Sequence, residues 1–313
     1  MLYPPKSFSK QSGVILVVAL FVVALLATLA VIMMERLERD TRRTMLLSRT
    51  IQAEFIAQGS IAWARDQLRN DWERRKANRV VDQFPMQSPV DEINGFQITS
   101  TVYDMQSRFN LNNLKDLHNQ ENFRWLFKTI DPSLNEGNIS SLIRGIKDWI
   151  TPGRQQNSYY YYYLSLPTPY RAAHRDFYNI DELRLIKGMT PRLFNHLKTY
   201  IVALPVKTPI NVQTASIPVL MMLSPALTVD SARAIVESRQ QNPFTTTKQF
   251  LDLERIKNLA IPEDKITVMS QYFLAETSVK IEKQGIILYT LLERKTDNHS
   301  PNVAILWQSK STW

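Results

Sequence analysis

Four histidines, His118, His174, His196 and His299, are the only imidazoles in the 313-residue chain. None stands in the HExxH spacing that would put two metal ligands on one helical face, and scattered residues of this kind suit surface or capping positions. Cysteine is absent, which removes disulfide frameworks, thiolate metal sites and Cys nucleophiles. The eight glycines, Gly13, Gly59, Gly95, Gly137, Gly145, Gly153, Gly188 and Gly285, are never closer than eight positions apart. Walker A, GxGxxG and GxSxG motifs all need glycines much closer than that, so the commonest nucleotide-binding and serine-hydrolase signatures are excluded. A hydrolase acting on envelope polymers would need coupled carboxylates in a cleft, and no spacing here displays them. The chain reads as non-enzymatic.

Composition agrees with a folded protein that carries no such chemistry. Hydrophobic residues make up 44% and charged residues 21%, which excludes a disordered chain or a polytopic membrane protein. The length allows roughly two or three domains. Lys and Arg number 38 against 29 Asp and Glu, for a net charge of +9. Such an excess permits nucleic acid, anionic lipid or an acidic partner without choosing among them.

The average conceals residues 14–34, VILVVALFVVALLATLAVIMM, which carry no charge and only Thr28 as a polar side chain. At 1.5 Å per residue the run spans about 30 Å of hydrocarbon. A cleaved secretory signal would have a shorter apolar core and a small-x-small site, and Ile32, Met33, Met34 and Glu35 provide none. The run is therefore a retained transmembrane helix. Beyond it, Leu47, Ile51, Phe55, Ala62, Leu68 and Trp72 fall within about 140° of arc at 100° per residue. No proline occurs between Pro5 and Pro85, so one helix of about 95 Å is expected from Val14 to about Asn78. Lys6 and Lys10 precede the span while Arg36, Arg39, Arg42, Arg43 and Arg49 follow it, against the positive-inside count. Glu35, Glu38 and Asp40 are interleaved with those arginines, and a large head is translocated regardless of loop charge.

Residues 93–103, INGFQITSTVY, alternate as a strand, and ETSVKIEKQGIILYTLLERKT followed by NVAILWQSK reads as two or more strands. Between them, from about Met105 to Ala275, lies a helical region. Asn179 with Glu182 forms a capping box, Gly188 suits the C′ position, and Thr190-Pro191 starts the next helix. Thr228 caps 229–240, Asn242-Pro243 stops it, and a Thr near 246 starts another helix. Asn112 and Thr214 are expected to cap the helices after them, with Asn110 and Asn211 holding turns.

The leader Met1 to Gly13, with Gly13 directly before the apolar run, resembles that of type IV prepilins. The resemblance implies cleavage between Gly13 and Val14 by a prepilin peptidase, with methylation of the new terminus. Most pilins and pseudopilins have glutamate as fifth mature residue, pairing with a neighbour's amine in the bilayer; here that residue is Val18. An unpaired carboxylate there costs about 2.5–3.5 kcal/mol, so its loss is expected where no subunit stands above. Arg108-Phe109-Asn110-Leu111-Asn112, Asp148-Trp149-Ile150, Pro169 to Arg175, Asp181 to Thr190 and Ile210 to Ala215 follow in order. Together they resemble the K-type minor pseudopilins of the bacterial type II secretion system, over essentially the whole chain.

That resemblance implies an α+β fold: a long N-terminal pilin-type helix packed on a small β-sheet, with a large mainly α-helical insertion of two SAM-like domains. The divisions are a leader at 1–13, the transmembrane half-helix at 14–34 and the amphipathic half at 35–78. The sheet takes 79–104 and 276–313, and the helical domains 105–205 and 206–275. Implied partners are the I- and J-type minor pseudopilins, other pseudopilus subunits and the peptidase, with the anchor in the inner membrane and the head in the periplasm. The role implied is to nucleate and cap the pseudopilus for protein export. K-type heads are associated with calcium, but the tract Thr151 to Ser158 is not acidic; Asp148, Asp176, Asp181 and Glu182 remain as candidate ligands. No other cofactor is implied.

The paired helices also resemble helix-hairpin-helix DNA-binding motifs, whose glycines let backbone N–H groups reach a phosphate. Gly188-Met189-Thr190 lacks one of the usual glycines, and Leu223 to Thr228 has none and contains Pro225. Nucleic acid is therefore not an expected partner, and a DNA-uptake subunit is the alternative that salt-sensitive retention of DNA would favour. Tyr159, Tyr160, Tyr161, Tyr162 and Tyr163 cannot all face one core. Some of them, with Leu47, Ile51 and Phe55, are expected at a partner interface.

Overall fold

A computed structural model describes residues 12–77, 84–153, 158–282, 284–296 and 301–312. The chain divides into two compact units, one ending at Ile56 and the other starting at Ala57. The long helix α1 (Ser12–Lys76) contributes to both.

In the first unit every residue from Val14 to Ser48 is exposed, and large side chains such as Leu20 and Phe21 stand 62% and 68% exposed. An apolar helix with no core of its own is satisfied by a lipid environment, and this one is long and apolar enough to cross a membrane. Thr28 Oγ1 donates to the Ala24 carbonyl at 2.8 Å, which meets the run's only side-chain hydroxyl within the helix. The charged stretch begins at Glu35, and Glu38 pairs with Arg42 one turn on at 3.7 Å.

The second unit begins with the C-terminal part of α1. Ala57, Ile61, Ala64, Leu68, Asp71 and Trp72 are buried and occupy an arc of about 100° at 100° per residue. Ala62 is exposed, and Leu47, Ile51 and Phe55 are 56%, 54% and 74% exposed. The stripe read from the sequence is thus two stripes. Each i to i+4 step advances about 40° around the helix, so Leu68 and Trp72 remain on the buried arc while Leu47, Ile51, Phe55 and Ala62 lie beyond it.

This part of α1 lies on an antiparallel sheet of order Met86–Gln87, Phe96–Asp104, Tyr272–Ile281, Gln284–Thr296, Pro301–Thr312, with Asp91–Ile93 paired to the second of these. Arg65 Nε donates to the Val303 carbonyl at 2.9 Å, tying helix to sheet. The expected strand at 93–103 is corrected: Asn94 and Gly95 have φ of 53° and 81° and form a tight turn, so Ile93 ends one strand and Phe96 begins the next. Asn-Gly is a strong hairpin signal because both turn positions need positive φ. Within Phe96–Asp104 the alternation places Phe96, Ile98, Ser100, Val102 and Asp104 inward.

Between Asp104 and Tyr272 the chain leaves the sheet and forms seven α-helices among the described residues: α2 (Leu117–Ile130), α3 (Glu136–Ile150), α4 (Ser158–Leu164), α5 (Pro191–Leu197), α6 (Ile217–Met221), α7 (Val229–Gln241) and α8 (Thr247–Leu251). Two-residue parallel pairings close two successive stretches, Phe109–Asn110 with Ile201–Val202 and Ile210–Asn211 with Ile266–Thr267. One continuous apolar core runs through both, from Phe109 to Val268. The caps read from sequence form: Thr190, Thr228 and Thr246 accept from Leu193, Ser231 and Gln249 N–H groups. The Asn179–Glu182 capping box also forms, but it opens a 3₁₀ segment, Ile180–Leu185. Gly188 follows with φ +89°, a conformation glycine adopts without strain.

Candidate functional site

Gly13 and Val14 lie in the first turn of α1, which begins at Ser12. The leader residues 1–11, with Lys6 and Lys10, lie outside the described residues. Val14 and Val18 are 68% and 55% exposed on the apolar helix.

The tyrosine run forms α4, and its members separate by role. Tyr163 is fully buried, stacked on Tyr170 at 5.2 Å and edge-on to Trp149 at 6.2 Å; burial raises its pKa. Tyr159 OH donates to the Ser141 carbonyl at 2.8 Å, and its ring lies over Gly145, where an added Cβ would come within 3.3 Å of it. Lys187 Nζ sits 4.3 Å from the centre of the Tyr162 ring. Tyr160 is half-buried beside Tyr161, and Tyr161 is 59% exposed. A helix turns successive side chains through 100°, so Tyr159, Tyr162 and Tyr163 reach the core while Tyr161 faces outward.

The four candidate calcium ligands do not fit a shared ion. Asp148 is buried in α3. Asp176 pairs with Lys115 at 2.5 Å and Asp181 with Arg184 at 3.0 Å. Glu182 accepts from Tyr178 N–H at 2.8 Å, Asn179 N–H at 3.2 Å and Trp149 Nε1 at 3.1 Å, and pairs with Arg175 at 3.3 Å. Burial opposes its ionisation, but those N–H groups, Trp149 and Arg175 hold its carboxyl below the usual range. Among the described residues no three His, Asp or Glu side chains gather to hold a metal ion. Calcium needs six to eight oxygens, and three of these carboxylates are already committed to cations or N–H donors.

What the structure does bring together is a buried polar seam between sheet and insertion. Asp104 is 3% exposed and accepts from Gln106 N–H at 2.9 Å, Asn211 Nδ2 at 2.9 Å and Thr214 Oγ1 at 2.5 Å. Burial raises its pKa, and the bonds from Thr214, Ser270, Gln106 and Asn211 oppose the rise. Asn110 donates to the Val206 carbonyl at 2.7 Å and accepts from Leu204 N–H at 3.1 Å. Asn112 donates to the Phe177 and Leu204 carbonyls at 3.1 and 2.8 Å and accepts from Phe177 N–H at 2.8 Å.

The expected caps at Asn112 and Thr214 are corrected by these contacts. Asn110 caps the 3₁₀ turn Leu111–Lys115, and Ser216 precedes α6 without a side-chain cap. Asn112 and Thr214 are long-range links instead. Helix ends can be left to 3₁₀ tightening or water, whereas buried loop carbonyls such as those of Phe177 and Leu204 require a donor. A second group, Asp71 with Arg75 and Arg294, joins α1 to the sheet at 2.8 and 2.7 Å. Asp71 and Arg75 stand one helical turn apart, but nothing local in the sequence signals that Arg294 joins them.

Comparisons with known proteins point to one family. Two family models, each described as type II secretion system (T2SS), protein K, match residues 107–206 and 210–269. Together they cover just over half of the chain, and they coincide with the two stretches closed by parallel pairings. Type II secretion system protein K of Aeromonas hydrophila is 27% identical, covering 93% of this chain and 96% of the relative. That of Pseudomonas aeruginosa is 27% identical, with 92% and 90% covered. A chain in the crystal structure of the GspK-GspI-GspJ complex from the enterotoxigenic Escherichia coli type 2 secretion system shares the fold. Its TM-score is 0.67 at 21% identity, with 84% of this chain and 99% of that chain covered. The chain belongs to the protein K family of the type II secretion system, whose members are minor pseudopilins.

Proposed function

We propose that the chain stands at the tip of the pseudopilus, where it nucleates assembly and caps the fibre during protein export across the outer membrane. The observation that carries this reading is Val18, an exposed aliphatic residue where a subunit with a neighbour above it would keep glutamate. The I- and J-type minor pseudopilins are the partners, by analogy with the complex named in the related structure. Prepilin peptidase cuts between Gly13 and Val14 and the new terminus is methylated. The apolar helix anchors the chain in the inner membrane and the head occupies the periplasm. A head carrying so large a helical insertion is too bulky to repeat along a thin filament, which supports an end position.

Immunogold labelling of a head-tagged full chain on overproduced pseudopili tests the placement. Label at fibre ends is expected. Label distributed along fibres by the unaltered chain overturns the reading.

A further inference from the structure

The sheet turns one face to α1, where Gln308 accepts from Gln58 at 3.3 Å and donates to Thr290 at 3.2 Å, and Ser100 meets Thr277 at 2.9 Å. Residues directly opposite one another on paired strands share a face. On the other face the register therefore aligns Thr101, Glu276, Tyr289 and Ser309 in one row across four strands, and Tyr103, Leu274, Leu291 and Trp307 in the next. Val202 and Leu204 of the helical insertion pack with Leu291, and Tyr103 and Leu274 lean on that cluster. The insertion thus borders the second row and leaves the first open.

An antiparallel sheet commonly turns one polar face to water, but this one carries three aromatic rings. Trp307 is 42% exposed, and Tyr103 and Tyr289 are half-buried. Glu276, half-buried between Thr101 and Tyr289, is close enough to act on both phenols: burial raises the pKa of each, and Glu276 raises both further. Arg108, also half-buried, acts on Tyr103 in the opposite sense. The side chains of Tyr103, Arg108, Glu276, Tyr289 and Trp307 make no hydrogen bond or ion pair among the described residues. Three rings, an acid and a base are thus gathered on one open surface with their polar groups unspent.

Charge decides the class of occupant. A cationic group over the rings would also face Arg108, and an anionic one would face Glu276. We propose that this face binds a neutral oligosaccharide, with Trp307, Tyr289 and Tyr103 stacking on the apolar C–H faces of its pyranose rings and Glu276 and Arg108 bonding to its hydroxyls. Aromatic side chains supply flat apolar area with a polar tip and lose little conformational freedom on contact. A hydroxyl donates to a carboxylate and accepts from a guanidinium, and bonds assisted by a charge are the stronger kind. Tyr103 and Trp307 stand three strand spacings apart, about 14 Å, which makes room for a short chain of rings rather than one.

The test is isothermal titration calorimetry on the full chain in a polyoxyethylene detergent, which carries no sugar headgroup. N-acetylchitotetraose, cellotetraose and maltotetraose are the probes, with tetralysine and tetraglutamate as charged comparisons. At least one tetrasaccharide is expected to bind, and more tightly than either peptide. Trp307→Ala and Glu276→Gln should each weaken that binding by about tenfold, the loss of one ring contact or one charge-assisted bond, with the thermal unfolding of both variants unchanged. Tyr161→Ala, which removes an exposed aromatic on α4, should leave the affinity as it was. Binding of none of the tetrasaccharides, tighter binding of either peptide, saccharide affinity that survives either substitution on the sheet, or an equal loss in Tyr161→Ala overturns the proposal.

Discussion

Replacing Asp71 by alanine removes a carboxylate that two buried guanidinium groups share. Asp71 is fully buried, and its oxygens accept from Arg294 Nη1 at 2.7 Å and Arg75 Nε at 2.8 Å. The Arg294 side chain is 1% exposed and that of Arg75 is 6%. Arg294 also donates to the Leu68 and Ser270 carbonyls at 2.9 and 2.8 Å and lies 4.8 Å from the Phe273 ring centre. Burial lowers the pKa of Arg294 and Asp71 opposes that, so the variant leaves a buried cation without its counter-charge. Breaking a buried pair from one side costs about 3–5 kcal/mol, a large share of the roughly 5–15 kcal/mol that holds a domain folded. For a unit of this size each kcal/mol moves Tm by about 2–4 °C, so a fall of roughly 6–20 °C is expected. Arg294→Met keeps the stem volume and leaves Asp71 paired with Arg75, so a smaller fall is expected. Near-UV circular dichroism of the full chain in detergent, followed through heating, reads both variants. A fall below about 2 °C for Asp71→Ala, or a larger fall for Arg294→Met, would refute the argument.

The seam at Asp104 has a pH signature. Its folded pKa lies above the ordinary 3.8, so its contribution is fully present below the unfolded value and is lost as pH rises through the folded one. Denaturant titrations should therefore show the deficit of Asp104→Asn to be largest in acid and to shrink as pH rises; a deficit that grows with pH contradicts the assignment. Adjacent tyrosines should diverge in thermal melts, with Tyr163→Ala costing about 3–5 kcal/mol and Tyr161→Ala staying within about 0.5 kcal/mol. At Gly145 an added Cβ would stand 2.9 Å from Ile186 Cγ2 and 3.3 Å from Tyr159 Cε1. Overpacking there should cost about 1–3 kcal/mol in Gly145→Ala, and an unchanged melting temperature would show that α4 yields freely.

Local patterns were legible wherever a short segment carries its own physical cause. The apolar run 14–34 is continuous in the chain, and the Thr190, Thr228 and Thr246 caps and the Asn179–Glu182 box each depend on residues within a turn of one another. Besides the Asn112 and Thr214 caps, two readings of local pattern failed. The stripe through Leu47, Ile51 and Phe55 needed knowledge of which arc a sheet would cover, because a helix rotates its apolar face steadily over long distances. INGFQITSTVY alternates well enough to hide its Asn94-Gly95 turn, which the positive φ values reveal.

The family resemblance and the apolar helix were available from residue order alone, since the motifs and the apolar run are properties of the chain itself. Tertiary structure decided what Asn112, Thr214 and Asp71 do. Asn112 meets Phe177 and Leu204, Thr214 meets Asp104, and Asp71 meets Arg294, all partners far along the chain. The worth of a polar side chain depends on whether folding brings it a partner as it removes water, and that pairing is set by how the sheet and the helical stretches close on each other.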